Sequence, residues 1–278
     1  MAGREAGGVL SALDPLVRGA GQRLVDTVPW VDGPLAELRG QYAHWWLRYT
    51  QWRHGRRHAA PIDPYRIVWV DPERIEYVTE PPELPRFRWA GSVMDGDWDR
   101  SGRRFVDTDV YRAFEGRFEH DLEWSETAFF DRVLDEIRRG ERPWGCDSRA
   151  ALQRRLRDLE RLYERIDSEG FRTQREVVAD AAYDDPVGSR RRSVYDRLIN
   201  DEMAIDIGRD GELLFADGRN RLSIAKVLGV EAVPVVILRR HAEWVAFRDR
   251  IAEHVDETGV LPSAVADHPD LKQLGADD

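Results

Sequence analysis

Residues 202–230, Glu202-Met-Ala-Ile-Asp-Ile-Gly-Arg-Asp-Gly-Glu-Leu-Leu-Phe-Ala-Asp-Gly-Arg-Asn-Arg-Leu-Ser-Ile-Ala-Lys-Val-Leu-Gly-Val230, decide the fold. Apolar residues alternate at Met203, Ile205 and Ile207, a strand with one buried face. Gly208-Arg209-Asp210-Gly211 supplies a tight turn, and Leu213 and Phe215 resume the alternation on a returning strand. Asp217-Gly218-Arg219-Asn220-Arg221 then runs straight into a helix carrying Leu222, Ala225, Val227 and Leu228, which stops at Gly229. Val233 to Leu238 follows as a buried strand, with Pro234 near its entrance, where a missing donor costs least.

The loop before the helix is where chemistry is expected. A glycine-containing loop at a helix N-terminus presents unpaired backbone N–H groups and the positive end of the helix dipole. Arg219 and Arg221 add two guanidinium groups, so the pattern suits a phosphate.

At these residues the chain resembles the ParB/sulfiredoxin superfamily. The shared pattern is a strand, a G-x-x-R loop (Gly218 to Arg221), a helix reading R-x-x-x-A (Arg221 to Ala225) closed by Gly229, and the Pro234-Val235 strand. The match covers about 40 residues, and an upstream strand beginning near Arg66 extends it. The resemblance implies an α+β fold: a small mixed sheet with a large helical insertion at about 105–200 and a helical N-terminal arm. The expected division is an arm over 1–60, the ParB/sulfiredoxin-like domain over 61–240, and a C-terminal helix with a polar tail over 241–278.

The loop departs from each branch of that superfamily. Sulfiredoxins place a catalytic cysteine directly after the glycine, where this chain has Arg219, and its single cysteine is Cys146. Partition-type ParB proteins carry G-E-R-R and continue into a helix-turn-helix, and no such helix pair is read after Leu238. Free-serine kinases of the superfamily carry D-G-H-H-R, which comes closest to Asp217-Gly218-Arg219-Asn220-Arg221, with Asn220 in a histidine's place. The implied common denominator is binding of a nucleoside di- or triphosphate with Mg²⁺, with Gly218, Arg219, Asn220 and Arg221 holding phosphate oxygens. Arg221 is expected to matter more than Arg219, since it occupies the pattern's arginine position.

A phosphotransferase or nucleotide hydrolase also needs a base and a metal ligand. Asp201, Glu202 and Asp217 are the catalytic candidates, although Asp217 is equally suited to capping the helix. Asp95, Asp97 and Asp99, at alternate positions before Ser101 and Gly102, are the candidate metal ligands. An EF-hand is excluded, because Arg100 and Val106 stand where glycine and glutamate are required. The alternative for this segment is a turn of salt-bridged acids, and Trp98 within it calls for a packing partner. The alternative function is a non-enzymatic ParB-like regulator that binds DNA or docks a protein, with Arg190, Arg191 and Arg192 joining Arg219 and Arg221 in a basic face.

Composition bounds the rest. The net charge is −10, and only Lys226 and Lys272 among the 42 basic residues are lysines. An acidic, arginine-rich surface points to a high-GC genome and a salt-adapted cytoplasm, as in a halophilic archaeon, and disfavours non-specific nucleic-acid binding. One cysteine excludes an internal disulfide, and no window approaches 20 apolar residues, so a cytoplasmic protein without a spanning helix is expected. The seven histidines lie outside any zinc-binding spacing.

Residues 35–58 run against this acidity: Arg39, Arg48, Arg53, Arg56 and Arg57 face Glu37 alone. Tyr42, Trp45, Trp46, Tyr49 and Trp52 fall at helical spacing beside them. This helix either packs its aromatics on the main domain or contacts a partner or an anionic membrane surface. Further helices are expected over Thr127–Arg139, Ser148–Ser168 and His241–His254, with a frayed tail from Asp256 onward.

Overall fold

The computed structural model describes residues 32–82, 86–180, 183, 197–198 and 200–275, with side chains from residue 41 onward. The chain divides into two units, residues 1–45 and 46–278. The described part of the first is the opening of a helix, α1 (Asp32–Gly55), which continues into the second.

The second unit is an α+β domain built on a six-stranded mixed sheet. Its strands are β1 (Ile67–Val70), β2 (Ile75–Val78), β3 (Ser92–Met94), β4 (Met203–Ile207), β5 (Leu213–Asp217) and β6 (Val233–His241). The order is β1-β6-β4-β5-β2, with β3 also pairing with β6. β4 and β5 form the expected antiparallel hairpin, Ile205 opposite Phe215 and Ile207 opposite Leu213. From β5 the chain turns at Gly218 into helix α7 (Arg219–Leu228) and returns as β6, parallel to β4 on its far side. Pro234 sits one residue inside β6, opposite Trp69 of the edge strand β1.

Alternation along the strands builds two cores. Met203, Ile205, Ile207, Leu213, Phe215, Val235 and Ile237 bury one face of the sheet against Leu222 and Ala225 of α7, together with Phe105 and Tyr111. Ala204, Ala216, Val236 and Leu238 bury the other against Leu47 of α1 and against Trp89 and Ala90, which close the short helix α2 (Arg86–Trp89).

The helical insertion comprises α3 (Asp109–Glu119), α4 (Ala128–Arg138), α5 (Arg149–Glu169) and α6 (Gln174–Ala179). Each starts at a hydroxyl that accepts from the backbone three residues on: Thr108, Thr127, Ser148 and Thr173. The stripe Leu152, Leu156, Leu159, Leu162 and Ile166 of α5 packs with Phe114, Phe129, Phe130 and Val133. Ile224 of α7 joins the same cluster, so α7 is the element on which sheet and insertion meet.

Two strands and the tail differ from expectation. β2 and β3 are too short to show a periodicity in sequence. The segment after helix α8 (Ala242–Thr258) is anchored: Asp270 and Leu271 are buried, and the Asp270 carboxylate accepts from Arg240 at 2.6 and 2.9 Å and from Trp244 Nε1 at 2.9 Å. A buried arginine needs an anion, and the polar tail supplies it.

Candidate functional site

A cavity of about 730 Å³ opens at the end of the sheet where β5 finishes and β4 begins. Gly218, Arg219, Asn220 and Arg221 all line it, as the sequence pattern requires. Asp217 and Asp201 line it too, with Thr79 after β2, Arg86 and Trp89 of α2, and Trp144, Arg155, Leu162 and Gln174 from the insertion.

Gly218 shapes the floor. Its φ of +95° is left-handed, and a Cβ there would come within 2.7 Å of Met203 Cγ and 3.0 Å of Met203 Cα. Glycine alone lets the chain turn so tightly against β4 and enter α7 directly. No side chain caps the helix, while Asp217 Oδ1 accepts from the Gly218 amide at 2.7 Å, so Asp217 serves the loop rather than the first helical turn. The residues of that turn, Arg219 to Arg221, thus line the cavity with no side-chain cap on their helix.

The arginines divide into two kinds. Arg86 and Arg221 are held by the protein. Arg86 donates to Asp217 Oδ2 at 3.0 Å and to the carbonyls of Asn200 and Glu202 at 3.0 and 2.6 Å. Burial draws its pKa down, and Asp217, Asp201 and Glu202 oppose that. Arg221 Nη1 donates to the Asp201 carbonyl at 3.0 Å and lies 3.8 Å from Glu202 Oε1. With the Gln174 amide oriented to satisfy both its groups, its oxygen accepts from Arg221 Nη1 and Nη2 at 2.7 and 2.5 Å.

Arg219 and Arg155 differ. Neither makes an ion pair or a side-chain hydrogen bond among the described residues, and the Nε of each is buried without a partner. Burial lowers the pKa of Arg219, and the Asp109 carboxylate is the first charge to oppose that. Arg221, the arginine expected to matter more, thus has its guanidinium engaged inside the protein, whereas Arg219 has no such partner among the described residues.

The carboxylate candidates also separate. Glu202 is buried behind Arg221, where its Oε2 accepts from the backbone N–H of Gln174 at 2.7 Å. Burial raises its pKa, opposed first by Arg221. This is the position of a group that fixes Arg221 and the start of α6, not of one that meets a ligand. Asp217 is half-exposed and paired with Arg86, and Asp201 reaches the cavity wall.

Asp95, Asp97 and Asp99 are not at the cavity. They follow β3 at the opposite end of β4, where Arg209 of the hairpin turn claims two of them. Asp99 accepts from Arg209 Nε and Nη2 at 2.9 and 2.7 Å and from the Arg209 amide at 2.9 Å, while Asp97 accepts from Nη2 at 2.8 Å. Asp95 is exposed and lies 3.9 Å from His241 Nε2. The metal-ligand expectation is corrected to an ion-paired turn, and no group of three His, Cys, Asp or Glu placed to hold a metal occurs among the described residues. Trp98 does find its partner: the buried Arg239 guanidinium stacks over it at 4.3 Å while pairing with the buried Asp206.

Arg190, Arg191 and Arg192, proposed for a DNA face, lie outside the described residues. On α1, Leu47 is buried and Arg88 stacks over Trp46 at 4.5 Å, whereas Tyr49 and Trp52 stay exposed, with Arg56 over the Trp52 ring at 4.3 Å. No helix is long and apolar enough to cross a membrane among the described residues.

Four site residues were not read from the sequence: Arg86, Trp144, Arg155 and Gln174. They come from a connector and from the insertion, and no local pattern in them signals a site. Comparison with family models, with curated proteins and with solved structures returned no match.

Proposed function

We propose that the cavity binds a nucleotide through its phosphates. The observation that carries this reading is an excess of partly buried cation: Arg86, Arg155, Arg219 and Arg221 line the cavity against Asp201 and Asp217, on a chain of net charge −10. Two of them, Arg155 and Arg219, have no ion pair or side-chain hydrogen bond among the described residues, and they share the cavity with the first residues of α7. Burying such charge is costly unless an anion arrives to meet it. A phosphate fits both features, taking backbone N–H groups from the helix start and forked donors from arginine. The volume suits a ligand larger than phosphate alone, within the range of small-molecule sites of about 300–1,000 Å³.

The ParB/sulfiredoxin resemblance is consistent with this proposal through the same residues, Gly218 to Arg221. Mg²⁺ would enter with the nucleotide as a counter-ion of its phosphates, since Asp201 and Asp217 at the wall are two carboxylates and such ions keep several waters. The reading is one of binding. Duplex DNA is a poorer fit, because Arg219 and Arg221 line a cavity and not a raised basic face.

Thermal-shift measurements with ADP, ATP, CTP and GTP, each with and without Mg²⁺, test the proposal. A ligand at about 100 times its Kd stabilises the fold by about 2.7 kcal/mol, a shift of several degrees. No shift with any nucleotide at millimolar concentration would exclude it.

A further inference from the structure

The cavity has a second half that phosphate chemistry leaves unexplained. Trp144, Leu162 and Trp89 form apolar wall, together with Val78, Pro81 and Pro82. Trp144 is the unusual member. It occupies the middle of a tight turn, Pro143–Gly145, with φ +54° and ψ 24°. Besides Asp121 it is the only residue other than glycine with positive φ among the described residues, and a bulky side chain adopts that conformation rarely. The ring is about one-third exposed and packs on one side against Phe129, centroids 4.8 Å apart. An indole backed by one aromatic ring and open to a cavity on another side is a stacking surface. Arg155, one helical turn from Leu159 and two from Leu162 on the same α5, brings to the same wall a guanidinium whose Nε has no partner among the described residues.

We infer that Trp144 is the platform on which the base of the bound nucleotide stacks, so that the helical insertion reads the base while the Gly218 loop holds the phosphates. This rests on the nucleotide reading above. A flat ring stacks on indole regardless of its hydrogen-bonding pattern, whereas a ribose or an aliphatic phosphate ester cannot. The strained turn follows from the same role, since backbone strain is retained where surrounding structure and function both hold a side chain in place.

Titration calorimetry with ADP and with inorganic pyrophosphate, on the wild type, Trp144→Ala, Trp144→Phe and Arg219→Ala, separates the two claims. The wild type should bind ADP more tightly than pyrophosphate. Trp144→Ala should weaken ADP binding about tenfold or more, the usual worth of one stacked base, and leave pyrophosphate binding within a factor of two. Trp144→Phe should recover most of the loss. Trp144→Gly, which relieves the left-handed backbone, should fold and repeat the alanine result, so a folding defect in Trp144→Ala cannot masquerade as lost stacking. Equal losses for ADP and pyrophosphate, or no loss for either, would overturn the stacking role while pyrophosphate binding that depends on Arg219 keeps the phosphate reading intact. A wild type that binds neither compound overturns both.

Discussion

The Arg86 guanidinium, delivered by the four-residue helix α2, sits 3.0 Å from the carboxylate of Asp217, the last residue of β5. The same guanidinium also takes the Asn200 and Glu202 carbonyls just before β4. One side chain therefore ties the connector after β2 to both strands of the hairpin, at the rim of the cavity. Arg86→Met should remove the donors for two backbone carbonyls and cost about 2–3 kcal/mol, read as a lower denaturation midpoint. Asp217→Asn, at a half-exposed position, should cost under about 1 kcal/mol.

Arg221 makes a parallel case. Replacing it with alanine removes the cation that most opposes the burial of the Glu202 carboxyl and leaves only Arg86 to do so, a change that should cost up to about 3–5 kcal/mol. The fold itself should weaken, and any loss of ligand binding should accompany a lower Tm. The double change Arg221→Met with Glu202→Gln should recover part of the stability, because the stranded charge is gone. An Arg221→Ala variant as stable as wild type would contradict the anchoring role.

How much of this was legible in the sequence depends on the range of the interaction that defines it. The hairpin, the Gly218 turn and α7 are local: alternation, a glycine at positive φ and an apolar helical stripe suffice, and the cap residues Thr127 and Ser148 marked their helices to within a residue. The fate of Asp97 and Asp99 was not legible, because Arg209 lies 110 residues from Asp99 and three nearby acids look alike whether a metal or an arginine collects them. The pattern ranks Arg221 above Arg219 by position alone and carries no sign of Gln174, Asp201 and Glu202, which reach Arg221 and not Arg219.

Gly218→Ala tests the turn. With φ at +95° and Met203 atoms within 3.0 Å of the added Cβ, the substitution should cost about 1–3 kcal/mol and displace the start of α7. Ligand affinity should fall with it. Gly229→Ala, also left-handed but with open space around it, should cost less in denaturant melts.

Acid should act on the fold in two steps. Burial beside His58, Arg53, Arg240 and Arg57 pushes the pKa of His54 down to about 4 from 6.5. The unfolded chain takes that proton first, so stability is fully present above pH 6.5 and lost as pH falls from there towards 4. Allowing for partial solvent screening, the loss should be about 1–2 kcal/mol, absent in His54→Gln. Asp99, hydrogen-bonded to Arg209, is held well below the usual carboxylate range. Its contribution is present above about pH 3.9 and disappears as pH drops below it, so Asp99→Asn should flatten only the more acidic part of the stability curve.

The central claim is that a nucleotide's phosphates meet Arg219, whose guanidinium has no ion pair or side-chain hydrogen bond among the described residues. Titration calorimetry of wild type and Arg219→Ala with ADP, in the presence of Mg²⁺, tests it most directly. Loss of a charge-assisted phosphate contact is worth about 1.5–3 kcal/mol, so the affinity of Arg219→Ala should fall roughly ten- to hundredfold. Its Tm without ligand should match the wild type, because Arg219 holds no other described residue in place. Wild-type protein that binds no nucleotide, or an Arg219→Ala variant that binds ADP as tightly as the wild type, would contradict the account.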